Sequence, residues 1–188
     1  MSRVPTPSQT VGPFFSIGLS SLCREKIEYG SAAGQHVVVR GRVLDGNGEP
    51  VPDAVLEIWQ AGEVVRGDCG PDADARQGKI PDGFGRIATN ERGEFQFSTV
   101  KSAPRRDEEG LVHAPHLDVV LLMRGLLRHL LTRIYFAGDA ANDEDVVLKL
   151  VPPERRRTLL AEPSQGNLSE LSWDIHLQGE RETVFFEA

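Results

Sequence analysis

Chemistry in this chain is best sought first at His116 and Asp118, which are separated by one residue in the run HLDVVLLM. The two-residue period of a strand sends both side chains to the same face. An imidazole beside a carboxylate can hold a metal ion or act as a base with its orienting group. It can equally be a surface pair, solvated or tied to an arginine, and the spacing leaves all three readings open. Arg133 and Tyr135 share a face of LLTRIYFAGD in the same way. An arginine on an apolar strand is costly to bury alone. Arg133 therefore either meets a carboxylate or is held toward an anionic ligand. A carboxylate partner is the favoured reading, and Asp118 is one candidate.

Other chemical signals are weak. His129 and His176 sit in apolar runs and read as satisfied strand histidines, while Trp59 and Trp173 read as packing. There is no P-loop, no GxGxxG after a strand, no GxSxG and no HExxH, so the usual phosphate, dinucleotide, hydrolase and zinc-protease signatures are missing.

The elements that must position these residues read as strands. HVVVRGRVLD leads into the turn Gly46-Asn47-Gly48-Glu49-Pro50, and AVLEIWQA follows, so the two runs predict a β-hairpin. GEFQFSTV, HLDVVLLM, LLTRIYFAGD, DVVLKLV and LSWDIHLQG continue the alternation, with Leu171, Trp173, Ile175 and Leu177 on one face. Many short strands broken by turn signals predict an all-β sandwich or barrel. Two polar stretches rich in Gly, Pro and Asp, 62–85 and 101–113, predict long loops, where sites on a β scaffold usually lie. RRRTLLAE predicts a short helix. Residues 1–34, punctuated by Pro5, Pro7 and Pro13 before Phe14 and Phe15, predict an irregular arm ahead of a β domain at 35–188.

Composition narrows the partners. A net charge of -7 over 188 residues argues against nucleic acid or an anionic membrane surface, since phosphate binding needs clustered cations. Cys23 and Cys69 make no CxxC and no disulfide framework, so a reduced, cytoplasmic setting is the expectation. No secretory leader and no membrane span are visible in the sequence.

At this point the ordered set of motifs resembles a known family. TPSQTVGPFFSIGL, VRGRVLDGNGEPVPDAVLEIWQA, GRIATNERGEFQFSTVK, HAPHLDVVLLMRGLLRHLLTRIYFAGD and WDIHLQGERETVFFEA are similar, in order and over nearly the whole chain, to alpha subunits of the protocatechuate 3,4-dioxygenases, within the intradiol ring-cleaving dioxygenases. The resemblance implies a β-sandwich with an irregular N-terminal arm and long loops, paired with a homologous beta subunit in a larger hetero-oligomer of alpha-beta units. It implies a reaction that opens protocatechuate between its hydroxyls with O2, giving 3-carboxy-cis,cis-muconate. It also implies a ferric cofactor, Fe(III), held by two Tyr and two His of the beta subunit rather than by this chain.

The match to the family's ligand positions falls at Gly67, Arg105, His116 and Asp118. Only His116 keeps a ligand type, and the chain has two tyrosines, Tyr29 and Tyr135, neither at a matched position. Ferric iron favours anionic oxygen ligands; glycine offers none and arginine repels the cation. The resemblance further places Thr10, Gly12, Pro13, Phe14 and Arg133 at the substrate pocket or subunit interface, with Phe14 where the family often has Tyr. Two competing expectations remain: a self-sufficient dioxygenase with an unusual ligand set, and a non-enzymatic β-sandwich binding module.

Overall fold

The computed structural model describes residues 6–12, 14–27, 34–60, 83–164 and 167–187. Its centre is one apolar cluster between two faces of strands. Strand β1 (Gln35–Leu44) runs antiparallel to β4 (Glu94–Lys101) from Gln35↔Lys101 to Arg42↔Glu94. It also pairs in parallel with β10 (Asn167–Ser172) and β11 (Ile175–His176). Facing this group, β2 (Val55–Gln60) lies between β3 (Phe84–Ala88) and β7 (His116–Leu122), and β7 continues to β8 (Leu130–Phe136). Strand β9 (Leu160–Ser164) pairs with both β8 and β10 and so joins the two groups. A separate two-stranded ladder pairs β5 (Arg105–Arg106) with β6 (Val112–His113).

The inward side of each strand follows the two-residue period. Val37, Val39 and Val43 of β1 meet Phe95 and Phe97 of β4, and opposite them lie Leu56, Ile58, Leu117, Val119, Leu121 and Ile134. Leu171, Trp173 and Ile175 are buried on one face as expected, with Leu177 packed against the same cluster. The buried Gln60 bridges the groups: its amide donates to the Val100 carbonyl at 2.5 Å, and its oxygen accepts from Thr99 at 2.5 Å. Both polar ends are therefore satisfied inside the core. The strand-rich architecture is as the strand pattern implied, and the sandwich is as the resemblance implied.

Five local expectations are corrected. The turn after β1 closes locally, with Asp45 N–H donating to the Glu49 carbonyl at 2.9 Å, yet β1 and β2 do not form a hairpin. Alternation fixes which face a strand buries, not which strand it pairs with, and these two go to opposite sides of the core. DVVLKLV is not a strand. The buried Asp145 carboxylate accepts from the backbone of Val147 and Leu148 and bends the chain into a 3-10 turn at Leu148–Leu150. Trp59 points away from the core and is 43% exposed, its ring centroid 4.4 Å from that of Phe84. His129 precedes β8 and is exposed. The expected helix shrinks to α2 (Pro153–Arg156) and one 3-10 turn before the chain enters β9.

The arm contains a short helix, α1 (Phe14–Leu19). Beyond it the segment 24–27 is stitched to the sandwich. Arg24 N–H donates to the Arg86 carbonyl, Ser98 and the 25–27 backbone exchange two hydrogen bonds, and Ile27 enters the core.

Candidate functional site

Site residues on β7 and β8 are set by register. His116 lies opposite Tyr135 and Asp118 opposite Arg133. Period two then places all four on the outward side of the sheet, away from the main core. Trp59 of β2 lies opposite Asp118 on the other flank, so indole, carboxylate and guanidinium form one row across three strands.

Arg133 is the middle of a chain of polar contacts. Its Nε donates to Asp118 Oδ1 at 2.8 Å and its Nη1 to the Tyr135 hydroxyl at 3.4 Å. Tyr135 in turn donates to Asp145 Oδ1 at 3.0 Å. Asp145 is fully buried and also accepts backbone N–H bonds from Ala114, Val147 and Leu148 at 2.7–3.0 Å. These four donors compensate a carboxylate in an apolar setting, within a second cluster formed by Ala114, Tyr135, Leu148, Val151 and Leu159. Burial pushes the Tyr135 phenol well above its usual range, so it stays protonated. Burial opposes the Arg133 charge, but Tyr135 and Asp118 outweigh it and leave the guanidinium more basic than usual.

His116 is 2% exposed. Its Nδ1 lies 2.7 Å from the Ala114 carbonyl, and its Nε2 is buried with no hydrogen-bond partner, 3.9 Å from Asp118 Oδ2. Burial, with Arg133 adding to it, holds the imidazole below its ordinary range, against the opposing pull of the Ala114 carbonyl, Asp118 and Asp145. Arg105 lies opposite His113 in the β5–β6 ladder, and the His113 and His116 rings are 6.3 Å apart. His113 itself pairs with Asp107 at 3.0 Å.

Arg105, His116, Asp118 and Arg133 are thus gathered into one region. Thr10, Gly12 and Phe14 are elsewhere. Thr10 Oγ1 accepts from Gly125 N–H at 2.8 Å, at the turn that closes β7 onto β8, the far end of that ladder from His116. Gly12 is exposed, and Phe14 is 78% exposed. Pro13 and Gly67, with Tyr29 and Cys69, lie outside the described residues. Sequence reasoning missed Asp145 and His113. Asp145 sits two and three residues before N–H groups it caps, an Asx-turn signal that is readable only once the strand reading of DVVLKLV is dropped.

The donor set does not suit ferric iron. A guanidinium occupies the Asp118 carboxylate, the Tyr135 phenol is kept protonated by burial, and of His116 only Nε2 is left over. Among the described residues, no group of three or more His, Cys, Asp or Glu is placed to hold a metal. Nor is any described helix long and apolar enough to cross a membrane. A groove of about 560 Å3 lies away from these residues, along β1 and β4; its Arg40 and Arg42 are paired to Glu170 and Asp174.

Comparison with known proteins places this geometry. The protocatechuate 3,4-dioxygenase alpha chain of Burkholderia cepacia is 40% identical over 97% of this chain and 96% of its own length. The beta chain from the same organism is 29% identical over 84% of this chain and 71% of its own. The solved structure of 3-chlorocatechol 1,2-dioxygenase from Rhodococcus opacus 1CP superposes with a TM-score of 0.60 at 22% identity, covering 93% of this chain and 67% of that one; it shares the fold. The dioxygenase family model matches residues 12–179. A match of that extent, carried by the same strands that build the row of site residues, makes this chain a member of the intradiol ring-cleaving dioxygenase family.

Proposed function

We infer that the chain is the alpha subunit of a protocatechuate 3,4-dioxygenase, an enzyme subunit that does not itself hold the catalytic metal. The family depends on non-haem iron. In this reading a homologous beta subunit carries the Fe(III), and this chain contributes the interface and part of the wall around the substrate through its arm and Arg133. Similarity to both alpha and beta chains supports the pairing in alpha-beta units.

One observation carries the assignment of iron to the partner. Where the family's His-x-His ligand pair falls, this chain has His116 and Asp118, and the Asp118 carboxylate is already engaged by Arg133 at 2.8 Å. A metal there would have to displace a guanidinium and would then gain two ligands at most. The chain's own residues therefore bind and orient; no proton or electron step is routed through them.

Metal content tests the reading. The chain is expressed alone and together with a beta-like partner that keeps two Tyr and two His at the matched positions. Alone it is expected to be colourless, iron-free and inactive. The pair is expected to hold iron, to show a visible tyrosinate-to-iron band and to consume O2 with protocatechuate. Stoichiometric iron and turnover in the isolated chain would overturn the assignment.

A further inference from the structure

The chain has four asparagines, and the side chains of three are held. Asn90 donates to Glu94 and accepts from the backbone N–H groups of Arg92 and Glu94. Asn142 donates to the Phe136 carbonyl, and Asn167 accepts from Ser169 N–H. Glu91, Asp143 and Leu168 follow these three, each with a side chain that crowds its own backbone nitrogen. Asn47 differs on every count. It is exposed in the turn after β1, its carboxamide makes no hydrogen bond among the described residues, and Gly48 follows it. Gly48 has φ +82°, and a Cβ there would meet nothing within 4 Å, so no side chain shields its nitrogen. What restrains that nitrogen is Asp45. Gly48 N–H donates to the Asp45 carbonyl at 3.1 Å, while Asp45 Oδ1 accepts from Asn47 N–H at 2.8 Å and from Glu49 N–H at 2.9 Å. That carboxylate closes an Asx-turn around the Asn47–Gly48 bond.

We propose that Asn47 is a self-modification site, converting through a succinimide to aspartate and isoaspartate, and that Asp45 sets the rate. The Gly48 nitrogen gives its proton to solvent base and attacks Asn47 Cγ; ammonia leaves and a five-membered imide closes. Water then adds at either imide carbonyl, leaving a carboxylate on a normal or a lengthened backbone. No reactant besides water and base is needed. Ring closure requires the Gly48 nitrogen to leave the Asp45 carbonyl and the turn to open. The Asp45 carboxylate opposes both steps: it ties down Asn47 and Glu49, and its charge disfavours a nitrogen anion beside it. The product carries one negative charge more than the -7 of the unmodified chain. It sets a third carboxylate on a turn that already holds Asp45 and Glu49. This goes beyond the subunit assignment and does not depend on it.

The test incubates the full-length chain at mildly alkaline pH and follows each asparagine by peptide mass, with isoaspartate read by enzymatic carboxyl methylation. Asn47 is expected to convert before Asn90, Asn142 and Asn167. In the folded chain its conversion should be about tenfold slower than in the same chain unfolded in guanidinium chloride, or ~1.4 kcal/mol of turn opening. Asp45→Ala should close most of that gap, with each variant's unfolded rate as its own baseline. Asp45→Ser keeps a weaker acceptor at the same place and should fall between alanine and wild type. The serine variant is read in the same way if the alanine variant does not fold. Another asparagine converting first overturns the proposal. So does a folded Asp45→Ala or Asp45→Ser chain whose Asn47 converts no faster than in wild type. None of these readouts needs iron, a partner or turnover, so failure of this proposal and failure of the subunit assignment are separable.

Discussion

At the scale of single residues, Asp145 anchors the outward layer. Four donors converge on it, and the side chain has no exposure to solvent. Asp145→Ala leaves those donors unpaired in an apolar cluster and should cost about 3–5 kcal/mol. Tyr135→Phe removes one of the four and should cost about 1 kcal/mol. Urea unfolding checks the order; equal losses for both variants would refute the hub role. His116 adds a pH dependence. Its folded value lies below 6.5, mainly through burial, and that of His176 is also lowered, again by burial first. The unfolded chain therefore binds more protons in the window below 6.5, and stability falls as pH drops through it. His116→Gln should flatten that fall in a urea midpoint series between pH 7 and 5. An unchanged slope would show that His116 does not contribute to it.

Elements impose a second set of constraints, clearest where β1 passes the start of β11. A Cβ on Gly41 would stand 1.8 Å from the Trp173 carbonyl oxygen and 2.8 Å from the Phe95 ring. Backbone cannot give way there, because Trp173 N–H is bonded to the Arg40 carbonyl at 2.9 Å. A Cβ on Gly85 would stand 2.6 Å from Ile27 Cγ1, a side chain that can shift. Gly41→Ala should therefore cost about 3 kcal/mol or more, and Gly85→Ala about 1 kcal/mol. Thermal unfolding of the two variants decides the ranking, and a Gly41→Ala protein as stable as wild type would show that the crossing is looser than drawn.

At the scale of the whole molecule the arm is the part left open. Phe14 and Ile17 on α1 are 78% and 66% exposed, while the following segment is tied into the sandwich at Arg86 and Ser98. If the subunit assignment holds, a partner covers this helix. The double variant Phe14→Asp/Ile17→Asp should then keep its circular dichroism and lose co-purification with the beta-like chain. Full recovery of the complex would remove the arm from the interface.

The sequence alone determined the all-β class, because a period of two repeated over short runs leaves a sandwich or a barrel, and the ordered motifs pointed to the sandwich. It also put Leu171, Trp173 and Ile175 on one face, and all three are buried. It placed His116 with Asp118, and Arg133 with Tyr135, on shared strand faces and offered Asp118 as the partner of Arg133, since same-face spacing on a strand is a local property. Pairing was decided only by the tertiary structure. The departure of β2 from β1 depends on packing across the core, which no local pattern encodes. The turn at Asp145 depends on a buried carboxylate whose fourth donor, Tyr135, is ten residues away on another element. The exposure of Trp59 depends on which strand groups face each other. For the same reason the character of the site was settled in three dimensions: whether a carboxylate and an arginine bind something else or one another depends on a register that only the folded sheet fixes.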